Sequence, residues 1–547
     1  MAKWWFGGRT VFLTAAAVML LASGLTACTG NKETPSTGAQ GTSAPAAGSA
    51  SGKISEKERT VKVVLSESAN QPIKNNTPIQ QEILKQTGIK LEYEAVPGSN
   101  YNDKKKTLMA TNNLPDIIQI EKQDINDFGS TGVFLPLMEY MNKGLMPNFK
   151  KIWDANPDLV KMTVDGELYA FPAIARNEAK NGFGPVIRED LLKKHNLAAP
   201  KTFDELLTVL ARLKELYPQS TPWSIRKGTG QLIGTGAYML GSGYSSGNGI
   251  YFDKDVDGGR YVFGPGTPAF KNVLAYFHKA YKMGVLDPDY AVSTSQQWTE
   301  KLTSGKSFFF LDNSGFGLNY TRDLRKTQPD AKFQILPIPQ YANGKARAQF
   351  YATTFTGKAF ALSAKAKDPE TLVKLVDWMY SEPASNLMNF GVEGVNYTLD
   401  DKGQPKYKED YIAQFKNAQP TPYYAVYSDL GCCQLNFTPY YSNTMSQFQI
   451  EKLTGNWDAL NEEYWSIVAN DKAYVEPVMD PPLSKQEATR VKELTVTLNT
   501  MLDQEYDKFI MGVKPIEAYD EVMKKAQQMG AGELEKIYND ALARLKK

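Results

Sequence analysis

Between residues 61 and 120, short apolar segments alternate with segments of helical character, and no other feature of the chain constrains its fold as strongly. The apolar segments are typical of β-strands, because they are rich in β-branched residues or alternate apolar with polar side chains; they lie at 61–65, 91–95 and 115–120. The helical segments lie at 78–84, ahead of the helix-stopping Gly88, and at 104–111. The order strand, helix, strand, helix, strand predicts a parallel sheet covered on both faces, with ligand-binding loops at the carboxyl ends of its strands.

Further α/β elements are predicted over the rest of the chain, which is too long for one small core. Thr202 and Glu205 form a capping box that opens one of the predicted helices. The apolar runs at 308–311 and 359–362 lie where the chain could cross between lobes. About 150 residues per domain predict roughly three units, and two large lobes fit as well. Strands are expected at 170–173 and 186–187, and helices at 189–194, 203–216, 268–283, 369–380 and from 485 onward.

The N-terminus carries the pattern of a secretory signal over residues 1–27. Lys3 and Arg9 form a positive segment ahead of an apolar stretch at 11–22. This stretch is shorter than the roughly 20 apolar residues that span a bilayer. Residues 28–59 are expected to form a disordered tether, because most of them are Thr, Gly, Ser, Ala and Pro.

Cys28 stands at the junction of signal and tether, behind small residues. This arrangement resembles a bacterial lipoprotein signal, in which the cysteine thiol takes a diacylglycerol group. The mature chain would then be anchored to the outer face of the cytoplasmic membrane without crossing it. An ordinary secretion signal cleaved after Ala27 is the alternative.

Charge and cysteine content argue against several classes of protein. The chain has 62 Lys and Arg residues against 60 Asp and Glu, and loss of Lys3 and Arg9 with the signal leaves the two signs balanced. Such a chain has no electrostatic footprint for nucleic acid. Apart from Cys28, the cysteines are the adjacent pair Cys432 and Cys433. They either oxidise to each other outside the cytosol or stay as buried thiols, and neither alternative indicates a metal site.

Two motifs suggest chemistry but have simpler interpretations. Residues 253–258 have the opening spacing of a calcium loop, yet Gly264 stands where a bidentate glutamate is needed, and a β-hairpin is favoured. Residues 243–247 have the spacing of a nucleophile elbow, but the chain has only His195 and His278 to complete a triad, so a Gly/Ser loop is favoured. A carboxylate pair for glycoside hydrolysis is not excluded by the sequence.

Several short motifs occur in a fixed order along the mature chain. They are Leu-Pro-Asp-Ile-Ile at 114–118, Asp-Gly-Glu-Leu-Tyr-Ala-Phe-Pro at 165–172, Pro-Lys-Thr-Phe-Asp-Glu-Leu at 200–206, Gly-Lys-Ala-Phe-Ala-Leu at 357–362 and Asn-Phe-Gly-Val-Glu-Gly-Val-Asn-Tyr at 389–397. Their order and spacing resemble the extracellular solute-binding protein family 1 of bacterial ABC importers. The last motif resembles the lipoprotein oligosaccharide branch of that family, which includes aldouronate and multiple-sugar binders.

This resemblance implies an α/β, two-lobed periplasmic-binding-protein-like (type II) fold with several crossover strands and an extended helical C-terminal region. Transferred by motif, the first lobe comprises 60–173 and 309–357, and the second comprises 174–308 and 358–547. Some relatives carry an acidic calcium loop after the helix that begins at Thr202. Residues 217–222 have no carboxylate at that place, so we expect no metal there, and the resemblance implies no cofactor.

A cleft that binds sugar needs flat aromatic rings for the apolar faces of the sugar and planar polar groups for its hydroxyls. Trp223, Tyr244 and Trp298 are stacking candidates because they lie in or beside predicted loops, although such aromatics more often belong to core or surface packing. Arg176 follows the first expected crossover and could bind a carboxylate or sugar hydroxyls, or could be a solvated loop residue. Further polar candidates, which could equally cap helices and turns, are Asp312, Asn313, Glu393, Asn396 and Tyr397.

Together these features predict a lipid-anchored, extracytoplasmic receptor that captures an oligosaccharide between two lobes and delivers it to the permease subunits of an ABC transporter. The receptor is expected to be a monomer, to bind no nucleic acid and to catalyse no reaction. Three alternatives stay open: a receptor for a peptide, an extracytoplasmic carbohydrate-active enzyme, and a receptor that only reports its ligand to a sensor.

Overall fold

Two hydrophobic cores, each built around its own β-sheet, organise the chain. The computed structural model describes residues 52–176, 181–243, 249–342, 344–350, 354–433 and 436–545. One core draws its buried side chains from residues 61–174 and 359–450. The other draws them from residues 186–348 and 464–541. We call these the first lobe and the second lobe.

The strands and helices follow the chain in an alternating order. The strands are β1 (Arg59–Glu67), β2 (Ile89–Pro97), β3 (Ile117–Glu121), β4 (Phe171–Ala175), β5 (Phe183–Arg188), β6 (Ile250–Asp253), β7 (Arg260–Phe263), β8 (Phe309–Asn313), β9 (Phe333–Ile335), β10 (Ala348–Gln349), β11 (Phe355–Leu362), β12 (Tyr397–Leu399), β13 (Pro405–Tyr407), β14 (Tyr440–Tyr441) and β15 (Tyr474–Val475).

The helices are α1 (Pro78–Thr87), α2 (Gly98–Ala110), α3 (Lys122–Phe128), α4 (Met138–Asn142), α5 (Pro147–Ala155), α6 (Glu189–Lys194), α7 (Phe203–Leu216), α8 (Gly228–Gly236), α9 (Pro268–Lys282), α10 (Ser295–Thr303), α11 (Phe316–Leu324), α12 (Pro369–Met379), α13 (Glu382–Phe390), α14 (Glu409–Ala413), α15 (Pro422–Leu430), α16 (Asn443–Thr454), α17 (Ala459–Asn470), α18 (Lys485–Ile510), α19 (Tyr519–Gln528) and α20 (Ala531–Leu545).

The sheet of the first lobe has the strand order β14-β4-β11-β3-β1-β2. β1 pairs in parallel with β2 and with β3, as the sequence predicts. Val61, Val63 and Leu65 are fully buried on one face of β1 and Val64 is buried on the other, as a strand covered on both faces requires. Because β2 and β3 lie on opposite sides of β1, the order in which the chain adds strands to the sheet reverses between β1 and β3. The carboxyl ends of these two strands therefore border a crevice of the kind in which open α/β sheets bind ligands.

Local sequence signals explain the ends of the first elements. Thr77 caps α1 and exchanges hydrogen bonds with Gln80 in a capping box. The helix ends at Gly88, whose φ of 75° is the left-handed conformation that glycine adopts without strain. At α7 the predicted capping box forms in part: Thr202 accepts from the backbone of Glu205, whereas the Glu205 carboxylate accepts from the backbone of Lys201.

The sheet of the second lobe contains β8, β5 and β9, with β5 antiparallel to both neighbours. The hairpin of β6 and β7 forms at the position where the sequence favours a turn over a calcium loop. Helices α18, α19 and α20 complete the core of this lobe. The extended helical C-terminal region is therefore confirmed, with breaks near the predicted positions, between 510 and 519 and between 528 and 531.

The pairing of two strands corrects the predicted lobe boundaries. Residues 309–357 were expected in the first lobe, but β8 pairs with β5 in the second lobe. Residues 358–450 were expected in the second lobe, but β11 lies between β3 and β4 and helices α12 to α16 pack on the first lobe. The two apolar runs have the length of crossovers, but each forms a strand within the sheet of one lobe. The composition of a short apolar run does not specify its partner strand.

The chain therefore passes between lobes at other places. These passages lie between β4 and β5, between β10 and β11, and between α16 and α17. The predicted signal, Cys28 and most of the predicted tether lie outside the described residues. Residue Ile54, near the end of that tether, already packs against the first core. Among the helices that the structure describes, none combines the length and the apolar character needed to cross a membrane.

Cys432 and Cys433 follow α15 in the core of the first lobe. Both are buried free thiols in this structure, which is one of the two alternatives left open by the sequence. Burial raises the pKa of the Cys432 thiol well above its ordinary value.

Candidate functional site

A small polar pocket lies at the crevice between the carboxyl ends of β1 and β3. Its volume is about 160 Å³. Ser66 from β1, Gln119 and Glu121 from β3, and Lys358 from the neighbouring β11 contribute to one wall, and the first turns of α2 contribute the other. We call it the strand-end pocket; its lining residues are Ser66, Gly98, Tyr101, Asn102, Lys105, Gln119, Ile120, Glu121 and Lys358.

Hydrogen bonds to the strand ends hold the uncharged walls of this pocket. The Tyr101 hydroxyl, from α2, lies within hydrogen-bonding distance of the backbone carbonyl oxygens of Val64 and Gln119. Burial and the nearby carboxylates raise the pKa of Tyr101 above its ordinary value, so the phenol is neutral. The Gln119 side chain accepts from the backbone N–H of Ser66 at 3.4 Å. Tyr101 thus ties α2 to both strands that flank the pocket.

Two cations of the pocket lie opposite carboxylates. The Lys105 ammonium contacts Asp124 at 2.6 Å, and both side chains are nearly buried. Lys358 lies directly across the β11–β3 ladder from Glu121. Burial lowers the pKa of Lys358, and the charge of Glu121 partly offsets that effect. The pocket therefore offers ammonium donors and carboxylate acceptors side by side.

The strand-end pocket is smaller than a complete small-molecule site. Complete small-molecule sites have volumes of roughly 300–1,000 Å³, about twice this pocket or more. A wider groove of about 640 Å³ lies between the start of α9 and α19 in the second lobe, but no strand ends there and its lining is mostly helix surface. A second polar cluster lies at a strand end of the second lobe.

The carboxyl end of β8 carries a charged cluster in the second lobe. Asp312 is buried and accepts from Arg226 in a bidentate arrangement, with Nε at 2.9 Å and Nη2 at 3.1 Å. Gln231, from α8, donates to the same carboxylate at 3.1 Å. The backbone N–H of Asn313 donates to its other oxygen at 2.6 Å. Asp312 thus fixes the guanidinium of Arg226, which keeps 23% of its side chain exposed.

An aromatic side chain adjoins this charged cluster. Phe316 begins α11 and is half-buried, and the Arg226 guanidinium lies 5.3 Å from its ring centre. The ring of Trp298 packs edge-on against Phe316 from the core side. Phe316 therefore presents a partly open aromatic surface next to charged hydrogen-bonding groups, which is the combination that a sugar requires.

The predicted residue Asn313 organises the turn between β8 and α11. Its side-chain oxygen accepts from the backbone of Gly315 at 2.9 Å and from Asn181 at 3.4 Å. Ser314 and Tyr464 join the same network through Asn181. Asn313 therefore fixes the turn that follows Asp312.

The predicted residue Arg176 lies at the end of β4 in the first lobe. Its guanidinium donates to Glu382 at 2.7 Å and to Asn386 at 2.6 Å, both on α13. The ring of Tyr440 lies 5.9 Å from it. Arg176 is therefore held by side chains of its own lobe.

The structure corrects the two tryptophan candidates. Trp223 is fully buried, with Phe277 and Phe309 packed edge-on against its ring. Trp298 is 1% exposed, with Phe310, Phe316 and Tyr320 around it. Neither ring has a free face for a sugar, because both belong to the core of the second lobe. The third stacking candidate, Tyr244, lies outside the described residues.

The three candidates in the 389–397 motif lie together at the edge of the first lobe. Asn396 is buried, and its side chain accepts from the backbone of Val392 at 2.8 Å. Tyr397 is also buried, and Glu393 is exposed beside it. Asn396 therefore closes a turn, which is the structural alternative for this residue, and the structure does not bring these three residues to the strand-end pocket or to Asp312.

Sequence reasoning missed the residues that depend on long-range pairing. Arg226 and Gln231 reach Asp312 across more than 80 positions of sequence, and Lys358 reaches Glu121 across a ladder of the sheet. Phe316 could have been predicted from the sequence, because it directly follows the polar turn at the end of a strand.

Comparisons with known proteins agree with this architecture. Residues 69–385 match the family described as bacterial extracellular solute-binding protein. The polygalacturonan/rhamnogalacturonan-binding protein YtcQ of Bacillus subtilis (strain 168) is 25% identical over 85% of this chain and 88% of its own. The fructooligosaccharide ABC transporter substrate-binding protein FusA of Streptococcus pneumoniae serotype 4 (strain ATCC BAA-334 / TIGR4) is 24% identical over 65% of this chain and 66% of its own.

A solved structure gives the same fold. The crystal structure of the alginate-binding protein AlgQ2 without calcium ion covers 91% of this chain and all of its own, with a TM-score of 0.70 and 20% identity. The two-lobed periplasmic-binding-protein-like fold is thus confirmed.

Proposed function

Because the chain belongs to the bacterial extracellular solute-binding proteins, we propose that it captures an oligosaccharide between its two lobes and delivers it to the permease subunits of an ABC transporter. The ligand class is supported by the names of YtcQ and FusA, and the transporter by that of FusA. These relatives are binding proteins rather than enzymes.

The observation that carries this proposal is the pair of polar clusters at the strand ends of the two lobes. The strand-end pocket supplies hydroxyl, amide, ammonium and carboxylate groups from the first lobe. Asp312, Arg226 and Gln231 supply charged and amide groups from the second lobe, beside the half-buried ring of Phe316. Each kind of group matches one feature of a sugar, because hydroxyls both donate and accept hydrogen bonds and the CH faces of a pyranose or furanose are apolar.

Capture follows from contacts that both lobes make at once. A ligand shifts an equilibrium between open and closed lobes only when it binds the closed form more tightly. Groups on two lobes provide that difference, since neither lobe alone surrounds the ligand. The passage of the chain between α16 and α17 is one place where backbone angles would change.

We also propose that Cys28 anchors the receptor, as a monomer, to the outer face of the membrane through lipid. The support is the N-terminal sequence itself, since two acyl chains hold a protein at a bilayer stably. Incubation of cells with a labelled fatty acid tests this step: label on wild type and none on Cys28→Ala is expected, and label on both would refute it.

The enzyme alternative has little support among the described residues. His195 contacts the hydroxyl of Tyr217 at 2.9 Å, and His278 contacts the backbone carbonyl of Ile510 at 3.1 Å. Both histidines are thus occupied by structural partners. The carboxylates at the strand ends are likewise engaged, since Asp312 accepts from three groups and Glu121 caps α3.

Titration calorimetry with a panel of oligosaccharides and peptides tests the proposed function. We expect heat of binding with at least one oligosaccharide and none with the peptides, and small-angle scattering should show a more compact particle with that oligosaccharide. Binding of peptides alone, or release of new reducing ends from the sugars, would refute the proposal.

A further inference from the structure

We propose that the ligand is an uncharged oligosaccharide and that the site discriminates against uronate-containing chains. This inference rests on the proposed function and adds the charge class of the substrate. It is carried by one feature that recurs in the described part of the site: the cations there lie beside carboxylates of the protein.

The first lobe places two cations beside carboxylates in the strand-end pocket, one in an ion pair and one across a strand ladder. Lys105 contacts Asp124 at 2.6 Å, and Asp124 in turn accepts from the backbone N–H of Glu121 at 2.8 Å. Lys358 faces Glu121 in the β11–β3 register. The formal charges of these four side chains cancel, and Lys105 and Asp124 are committed to each other away from water.

Two arginines show the same matching. Arg226 uses Nε and Nη2 for the two oxygens of Asp312. Arg176 uses one nitrogen for Glu382 and another for the amide oxygen of Asn386. The bidentate face of Arg226, which would otherwise bind a ligand carboxylate, is therefore filled by a protein carboxylate.

Electrostatics then separates neutral from acidic sugars. A uronate that enters a partly buried site loses hydration, and a cation whose own charge is not compensated must replace it. At the ion pairs of Lys105 and Arg226, the incoming carboxylate would meet a protein carboxylate beside the cation, so attraction and repulsion largely cancel. A neutral hydroxyl has no such penalty, because it needs no counter-charge and can donate to an exposed carboxylate such as Glu121.

The names of the relatives do not fix the charge class of the ligand. The names of YtcQ and AlgQ2 specify polygalacturonan, rhamnogalacturonan and alginate, which are acidic polysaccharides, whereas the name of FusA specifies a neutral fructooligosaccharide. Identity near 25% does not decide between them. The ion pairs of this chain favour a neutral ligand.

Calorimetry with matched ligands tests the inference on the full mature chain. Neutral galacto-, manno- and fructo-oligosaccharides are compared with galacturonate and alginate oligomers of equal length. We expect at least one neutral series to bind, with every uronate series at least tenfold weaker. Binding of a uronate series as tightly as the best neutral one would overturn the inference and leave the proposed function intact, whereas binding of no sugar would overturn both.

Two variants that leave a cation unmatched test the physical cause. Glu121→Gln removes the carboxylate opposite Lys358 in the β11–β3 ladder, and Glu382→Gln removes the ion-pair partner of Arg176; both carboxylates are open to solvent. We expect at least one of them to raise the affinity for uronate oligomers roughly tenfold, and that gain should shrink as salt rises from 50 to 500 mM. Glu92→Gln, on the exposed side of edge strand β2, is the control and should change neither affinity. Unchanged uronate binding in both folded variants would overturn the charge-matching explanation.

Discussion

Asp312→Asn should destabilise the second lobe strongly, although it changes only one oxygen to an amide nitrogen. The Asp312 carboxylate accepts four hydrogen bonds, two from Arg226, one from Gln231 and one from the backbone of Asn313. The single carbonyl oxygen of asparagine cannot replace them, and its NH₂ group would point at N–H donors. Arg226 would then lose its counter-charge in a place where water reaches only part of it.

The magnitude follows from the burial of the two partners. Removal of one partner from a fully buried ion pair costs about 3–5 kcal/mol. Arg226 keeps 23% of its side chain exposed while Asp312 keeps 3%, so hydration recovers part of the cost and we expect about 2–3 kcal/mol. At roughly 2–4 °C per kcal/mol for a domain of this size, the melting temperature should fall by about 4–12 °C.

Calorimetric melting of four proteins separates the lost ion pair from other effects. Wild type, Asp312→Asn, Arg226→Gln and the double variant form a cycle, and we expect the double variant to recover at least about 1 kcal/mol relative to the sum of the single changes. Asp323→Asn, which breaks an exposed pair with Lys326, is the control and should stay within about 0.5 kcal/mol of wild type. Additive losses in the double variant would refute the argument that an uncompensated charge causes the instability.

Three further predictions address the ligand surface, a titrating lysine and a helix cap. Phe316→Ala should weaken binding of the oligosaccharide roughly tenfold in calorimetry while Phe316→Tyr retains it; equal losses in both would contradict a stacking role. Burial lowers the pKa of Lys122 to about 8, so between pH 8 and the ordinary lysine value the unfolded chain binds more protons than the folded one, and stability gains from rising pH. Urea midpoints of wild type should therefore rise relative to those of Lys122→Met from pH 7 to 10, and parallel curves would contradict this. Thr77→Ala should cost about 1 kcal/mol through loss of the α1 cap, whereas Thr107→Ala, at an exposed position inside α2, should cost less than half of that in the same urea titration.

The first sheet could be predicted from the sequence because its signals are local. The β-branched run that forms β1, the Thr77 cap and the Gly88 stop each act within a few residues. The start of helix α2 is not predicted by such local signals. The helix begins at Gly98, six residues before the predicted start. The Gly-Ser-Asn-Tyr-Asn-Asp segment has low helix propensity, so the sequence does not predict this first part of the helix. The contacts of the Tyr101 hydroxyl with β1 and β3 hold it in place.

The site could be predicted only in part because its contacts are distant in sequence. Asp312 was identified from its position after a strand, yet its partner Arg226 lies 86 residues away. Trp223 has loop-like neighbours in sequence, but it bridges to Leu286 and Phe309 and is fully buried. Exposure depends on which segments pack over a side chain, and a single sequence does not contain that information for a short segment.

One helical turn connects the strand-end pocket with the contact between lobes. Glu121 lines the pocket, and Lys122, the next residue, donates to the backbone carbonyl of Asp480 at 2.5 Å. Asp480 lies in the second-lobe segment that leads into α18, and burial raises the pKa of its carboxyl group. Asp124, in the same turn of α3, holds both the backbone of Glu121 and the ammonium of Lys105. The groups that would contact a sugar and the group that contacts the opposite lobe therefore meet at the first turn of α3, so a ligand bound there would bear on the lobe contact and, through it, on the open–closed equilibrium.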